Sequence, residues 1–262
     1  MAKFAVITGG AQGIGAAIAK RFLTDGFEGV LLVDRDGVGL QKQSEALSSF
    51  GRVEIVHKDL LASDTPTRAV NAAIAAFGQI DVLVNAAGNT ERGGIGDTTV
   101  EAYERLFGVN VRAPLFLMQE AVKVMRPRQS GIIINVASMI AYGGPPNLAI
   151  YSASKAALRM LTKHAANTWK REGFRAFCIN LGWALTDGEH ALQTGFHGMP
   201  QDWADQIGRR MPAGRLITSE DVAGLAAFLV SPPAQMMNGA VIDYEQMPTG
   251  VFDVHPALSP AI

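Results

Sequence analysis

The chain has 262 residues, 48% of them apolar and 18% charged, with a net charge of −1. That length supports a well-filled core in one or two domains, and the balanced charge removes the electrostatic reason to expect nucleic acid or a membrane surface as partner. No apolar run approaches the roughly 20 residues of a membrane span, and a single cysteine, Cys178, excludes an internal disulfide.

The first stretch, MAKFAVITGG, has too short an apolar run for a signal h-region and reads as a strand over 3–8 leading into a glycine turn. Further strands are expected over 29–34, 53–59, 80–85, 131–138, 175–180 and 239–244, and helices over 13–25, 38–50, 64–77, 100–126, 151–172 and 219–230. Runs such as VLLV (30–33) and III (132–134) are apolar without alternation, as expected of parallel strands covered on both faces. Regular strand–helix alternation predicts a doubly wound, mainly parallel α/β sheet of Rossmann type in one domain, 1–247. The glycine-rich region 186–215 breaks the rhythm and reads as a lid. The proline-containing segment 248–262 reads as an extended tail outside the sheet. Cys178, in the strand-like FRAFCIN, reads as a buried structural thiol, in keeping with a reducing cytoplasm.

TGGAQGIG (8–15) follows the first strand and opens the first helix. Glycines at Gly9, Gly13 and Gly15 permit a tight turn and let a pyrophosphate approach a helix N-terminus, where free N–H groups and the helix dipole favour anions. About 20 residues onward, Asp34 ends GVLLVD, where a carboxylate accepts hydrogen bonds from ribose hydroxyls and repels a 2′-phosphate. The expected cofactor is therefore NAD, with NADP second. Arg35 stands ready for a phosphate, while Gln12 adds no positive charge to the turn. A plain strand-end turn is the alternative reading of Asp34.

Further on, YSASKAAL (151–158) sets Tyr151 four residues before Lys155, neighbours on one helical face. Read with Thr8-Gly9-x-x-x-Gly13-x-Gly15, with Asp59-Leu60, and with Asn85-Ala86-Ala87-Gly88, this pair resembles the shorter single-domain branch of the short-chain dehydrogenase/reductase family. The likeness runs from about residue 3 to 244. It implies a catalytic set of Asn110, Ser138, Tyr151 and Lys155. It also implies that the cofactor meets Gly9, Gln12, Gly13, Ile14, Gly15, Asp34, Arg35, Asp59, Leu60, Asn85, Ala86, Ala87, Gly88, Tyr151, Lys155, Gly182 and Thr186. By the same likeness Lys155 holds the nicotinamide ribose, Ser138 the substrate oxygen, and Asn110 a water that joins Lys155 to solvent. The chemistry agrees: taking a hydride from an alcohol carbon requires a base for the hydroxyl proton, and Tyr151 serves if nearby positive charge favours its phenolate. The chain departs from the family pattern at NLGWALT (180–186), where Leu181 replaces a proline and loosens that turn.

For the substrate, Asn89, Thr90, Arg92, Met139, Ala141, Asn147, Trp183, Glu189, His190 and His197, with Ser138 and Tyr151, are the candidates. Their hydrogen-bonding groups favour a sugar, polyol or similar small hydroxylated compound. Arg92 reads either as the partner of an anion on the substrate or as a solvated loop residue. The histidines do not share metal-ligand spacing, so no catalytic metal is expected. A 3-oxoacyl-type carbonyl reductase using NAD(P)H is the first alternative, and a non-catalytic nucleotide sensor the second. The resemblance further implies a homotetramer, a dimer of dimers built through the helices near 100–126 and 151–172, with Ala156, Ala157, Met160 and Leu161 on the contacting face.

Overall fold

A computed structural model describes residues 3–247; the tail expected over 248–262 lies outside the described residues. Seven parallel strands form the main sheet: β1 (Phe4–Thr8), β2 (Gly29–Asp34), β3 (Arg52–His57), β4 (Val82–Asn85), β5 (Gly131–Val136), β6 (Phe174–Leu181) and, after two short strands described below, β9 (Val241–Tyr244). Their order across the sheet is β3-β2-β1-β4-β5-β6-β9. β1 and β4 are buried along their whole length, which is why their sequences run apolar without alternation.

Helices cover both faces. On one, α1 (Gly13–Thr24), α2 (Gly37–Leu47) and α9 (Ser219–Leu229) bury Ile18, Phe22, Leu40, Val222 and Leu229 against Ile7, Leu32 and Phe177. On the other, α3 (Thr65–Phe77), α5 (Ala113–Met125) and α6 (Ala149–Thr168) bury Val70, Leu117, Val122 and Ala165 against Val6, Leu31 and Ile133. The boundaries follow local chemistry. The Asp36 carboxylate caps α2 by accepting from Gly39 N at 3.0 Å, and Gly78 ends α3 at φ 76°, a left-handed conformation that costs glycine nothing.

The single helix expected over 100–126 is three pieces. α4 (Val100–Phe107) runs into a wide π turn over Gly108–Arg112, and α5 follows. Pro114 supplies the reason, since it has no N–H to give the carbonyl of Asn110 four residues earlier and its ring crowds that carbonyl. The backbone widens instead, and Ala113 N bonds back to Gly108 O.

The expected lid is more ordered than its glycines suggest. β7 (Ala184–Leu185) pairs in parallel with β8 (Ile217–Thr218). Between them lie α7 (Asp187–Ala191), a π turn over Leu192–Phe196 and α8 (Trp203–Gly208). Trp203 anchors the segment, fully buried and stacked 5.5 Å from Trp183.

Candidate active site

The strand order reverses at β1, which lies between β2 and β4. Ligand crevices in doubly wound sheets open there, at the carboxyl ends of the strands. A cleft of about 450 Å³ occupies this position. It is lined by the glycine turn (Gly9, Gln12, Gly13, Ile14 and Gly15), by Asp34 and Arg35, by Asp59 and Leu60, by Ala86, Ala87 and Gly88, and by Tyr151, Lys155 and Thr186.

The glycine turn is shaped by contact. Gly9 has φ 71°, and a side chain there would meet Ala87 N at 2.9 Å; one on Gly15 would meet Gly9 O at 2.2 Å. The α1 N-terminus, headed by Gln12, carries no side-chain cap, so its N–H groups are left for a ligand. Asp34 is anchored beside it: Oδ2 accepts from Ala11 N at 3.2 Å and Oδ1 from Asp36 N at 3.1 Å, leaving each oxygen further acceptor capacity. An uncapped helix end and a carboxylate at the tip of β2, opening on one cleft, fit a dinucleotide.

At the other end, Tyr151 and Lys155 lie one turn apart on α6, with the Lys155 ammonium 5.7 Å from the Tyr151 ring centroid. Lys155 is buried and donates to Val136 O at 2.9 Å. Gly88 leaves room for it, since a Cβ there would stand 3.4 Å from Nζ. Burial pushes the Lys155 ammonium down to about 8 and the Tyr151 phenol up to about 12. Against that rise, a hydrogen bond from Ser138 favours the phenolate; Glu189 raises Tyr151 further and Arg92 lowers it. Lys155 is not among the groups that move Tyr151 in the ligand-free protein, because an ammonium that titrates near 8 is already neutral where an unassisted phenol ionises.

Asn110 sits in the π turn, fully buried. Its Oδ1 accepts from Asn89 N at 2.8 Å, and its Nδ2 donates to Asn89 O at 2.9 Å and to Ser154 Oγ at 3.0 Å. Ser154 Oγ in turn donates to Tyr151 O at 2.7 Å, so Asn110 ties the turn after β4 to the helix that carries Tyr151.

Other expected residues stand elsewhere. Asn85 and Gly182 do not line the cleft. The Asn85 side chain is buried and donates to Asn135 Oδ1 at 2.7 Å, because it ends a strand inside the sheet. Gly182 lies under the Glu245 carboxylate, where a Cβ would meet Oε2 at 2.2 Å. Leu181 ends β6 beside Tyr244, and Gly182 N donates to Tyr244 O at 3.0 Å. His190 opens on an adjoining groove, of about 520 Å³, with Lys20 and Thr218, which shares Gly13 and Thr186 with the cleft. Its Nδ1 accepts from Trp203 Nε1 at 3.2 Å. Asn147 contributes its backbone carbonyl to Gly93 N at 2.9 Å. Trp183, Glu189, Arg92 and His197 gather at the lid side: Trp183 Nε1 donates to Glu189 Oε1 at 2.8 Å, and Arg92 Nη2 to His197 Nε2 at 3.2 Å. Sequence reasoning missed Val109, Ala137, Gly188 and Arg105 as lining residues. Arg105 is held there by Glu91 at 2.6 Å, a pair that no motif signals. Cys178 is free and fully buried, and burial pushes its thiol up to about 11.

Comparison with known proteins gives the same picture. A family model described as enoyl-(acyl carrier protein) reductase matches residues 9–245. Galactitol 2-dehydrogenase of Agrobacterium fabrum is 34% identical over 237 residues, spanning 87% of this chain and 90% of its own. L-sorbose reductase of Gluconobacter frateurii, solved with NADPH and L-sorbose, has a TM-score of 0.87 at 29% identity over 96% of this chain and 98% of its own. The 3-ketoacyl-(acyl-carrier-protein) reductase of Brucella melitensis, solved with NADH, has a TM-score of 0.81 at 30% identity over 93% and 97%. This chain belongs to the short-chain dehydrogenase/reductase family, oxidoreductases that use nicotinamide cofactors.

Proposed function

We propose that the protein interconverts a secondary alcohol and a ketone on a sugar, polyol or similar small hydroxylated compound, with NAD as the preferred cofactor. The observation that carries this reading is that Tyr151, hydrogen-bonded to Ser138, and Lys155 line the same cleft as the glycine turn and Asp34.

The α1 N-terminus would hold the pyrophosphate and Asp34 the ribose hydroxyls. Asp59 and Leu60 would flank the adenine, and residues 86–88 with Lys155 and Thr186 the nicotinamide half. Bound there, the cofactor supplies the site for hydride gain or loss. Tyr151 moves the proton at its Oη. A phenol pushed up to about 12 is a proton donor at neutral pH, ready for the ketone. For the alcohol it must lose that proton, and the Lys155 ammonium with the oxidised cofactor's positive ring would lower the cost. The Ser138 hydroxyl would hold the reacting oxygen against Tyr151 and stabilise charge on it. Asn110 keeps the Asn89 turn and the start of α6 in register, and by family likeness would anchor a water reaching toward Lys155.

NAD is favoured because Asp34 occupies the place where a 2′-phosphate would need room and positive charge. Relatives solved with NADPH and with NADH both occur, so the preference rests on Asp34. The competing reading, reduction of a 3-oxoacyl thioester, draws support from the Brucella relative and the family description. The charged and hydrogen-bonding groups around the mouth, Arg92, Glu189, Gln193 and Trp183, favour a hydroxylated compound over an acyl chain. Turnover of polyols, sugars, hydroxy acids and acyl thioesters with both cofactors tests the choice; reduction of the thioesters alone would reverse it. Self-association is part of the proposal: Tyr103, Phe116 and Met160 are exposed apolar groups on α4, α5 and α6, and light scattering at the mass of one chain would reject it. Among the described residues no helix is long and apolar enough to cross a membrane.

A further inference from the structure

Arg92 belongs to the segment that follows the Asn89 turn, and that segment is pinned to the start of α6. Gly93 N donates to Asn147 O at 2.9 Å, and Ile150 N, one residue before Tyr151, reaches Gly93 O at 3.4 Å. From there the guanidinium crosses to the lid and gives one hydrogen bond, Nη2 to His197 Nε2. An arginine can only donate, so the His197 ring nitrogen is the acceptor of this contact. The Arg92 Nε–H is buried without a partner, and Arg92 takes part in none of the ion pairs among the described residues. A buried donor of a charged group left unmade is costly and calls for an acceptor from outside the chain.

Glu189, on α7, follows Gly188, which lines the same cleft as Asn89 and Thr90. Its Oε1 accepts from Trp183 Nε1 and Gln193 Nε2, each at 2.8 Å, while Oε2 has no described partner. The two charges do not pair with each other, yet both act on the Tyr151 hydroxyl. Beside the cleft there is thus a cation with an unmade N–H and a fixed hydroxyl acceptor. A carboxylate matches the first in charge and in two-point geometry, and sugar-like hydroxyls match the second. Glu189 would repel a carboxylate bound the wrong way round, so one orientation is favoured.

We propose that Arg92 anchors a carboxylate carried by the substrate, with Glu189 taking its hydroxyls, so that the preferred substrate is a polyhydroxy acid and not a neutral polyol. This rests on the reading of the cleft as an alcohol–ketone site. The test is a panel of aldonic acids, each matched with the alditol of the same configuration, assayed with wild type, Arg92→Met and Arg92→Lys. In the wild type at least one acid should exceed its alditol in kcat/KM. Arg92→Met should lose roughly 10- to 100-fold more on that acid than on the alditol, mostly in KM, as expected for a charged hydrogen bond removed, and Arg92→Lys should recover part of it. Isothermal titration of the acid into the enzyme with oxidised cofactor should give binding to Arg92→Met that is weaker than to wild type by the same factor. Wild-type preference for alditols, equal losses on both members of the pair, or equal binding by both proteins would overturn the inference while leaving the alcohol–ketone reading intact. No turnover of either class with either cofactor would bring down that reading and this inference with it.

Discussion

Lys155→Met removes the cation one helical turn from Tyr151 while keeping an unbranched stem of similar volume in a buried position. Burial is the main cause that sets the phenol at about 12 and the ammonium at about 8. Below pH about 8 the ammonium is charged. With 5.7 Å to the ring centroid and an effective dielectric constant of about 20, its attraction for a phenolate is about 3 kcal/mol. That corresponds to about two pK units and about a hundredfold in rate. In the variant, alcohol oxidation at neutral pH should fall by about that factor. The pH profile of kcat/KM should also lose the limb near 8 that the Lys155 ammonium contributes. Because Lys155 is also expected to hold the cofactor's ribose, initial rates are taken at saturating cofactor, with cofactor affinity measured separately by fluorescence. A variant that binds cofactor yet keeps its rate within a few-fold, with an unmoved pH profile, would refute the electrostatic reasoning.

Two further outcomes follow from the same geometry. Asp34→Ala, which removes both ribose acceptors and the repulsion of a 2′-phosphate, should raise the NADP-to-NAD ratio of kcat/KM by roughly tenfold or more; steady-state kinetics with both cofactors checks it, and an unchanged ratio means the acid was misread. Asn110→Ala deletes three side-chain hydrogen bonds, worth about 3 kcal/mol at about 1 kcal/mol each, so calorimetry should find Tm lower by about 6–12 °C; a shift of a degree or two would mean the turn after β4 is held by something else.

The sheet was legible because its strands are short apolar runs between turn residues, a signal that survives without knowing any contact. The glycine turn and Asp34 were legible for the same reason, being close in sequence to the elements they terminate. What escaped depends on distance along the chain. Arg92 and His197 meet across 105 positions, and β7 and β8 are two residues each, too short for any periodicity. The break in the long helix did have a signal, Pro114 four residues after Asn110, which the apolar pattern across 100–126 concealed. Asn85 illustrates the limit of a motif: the string of residues 85–88 names a turn but does not say which side chains of that turn face the cleft.

The most direct measurement is the turnover of Tyr151→Phe beside its cofactor affinity. A ring of nearly the same shape without the hydroxyl should lower kcat by roughly 10²–10⁴-fold while NAD binds as it does to wild type. Turnover close to that of the unmodified enzyme would mean that the reacting proton travels through some other group.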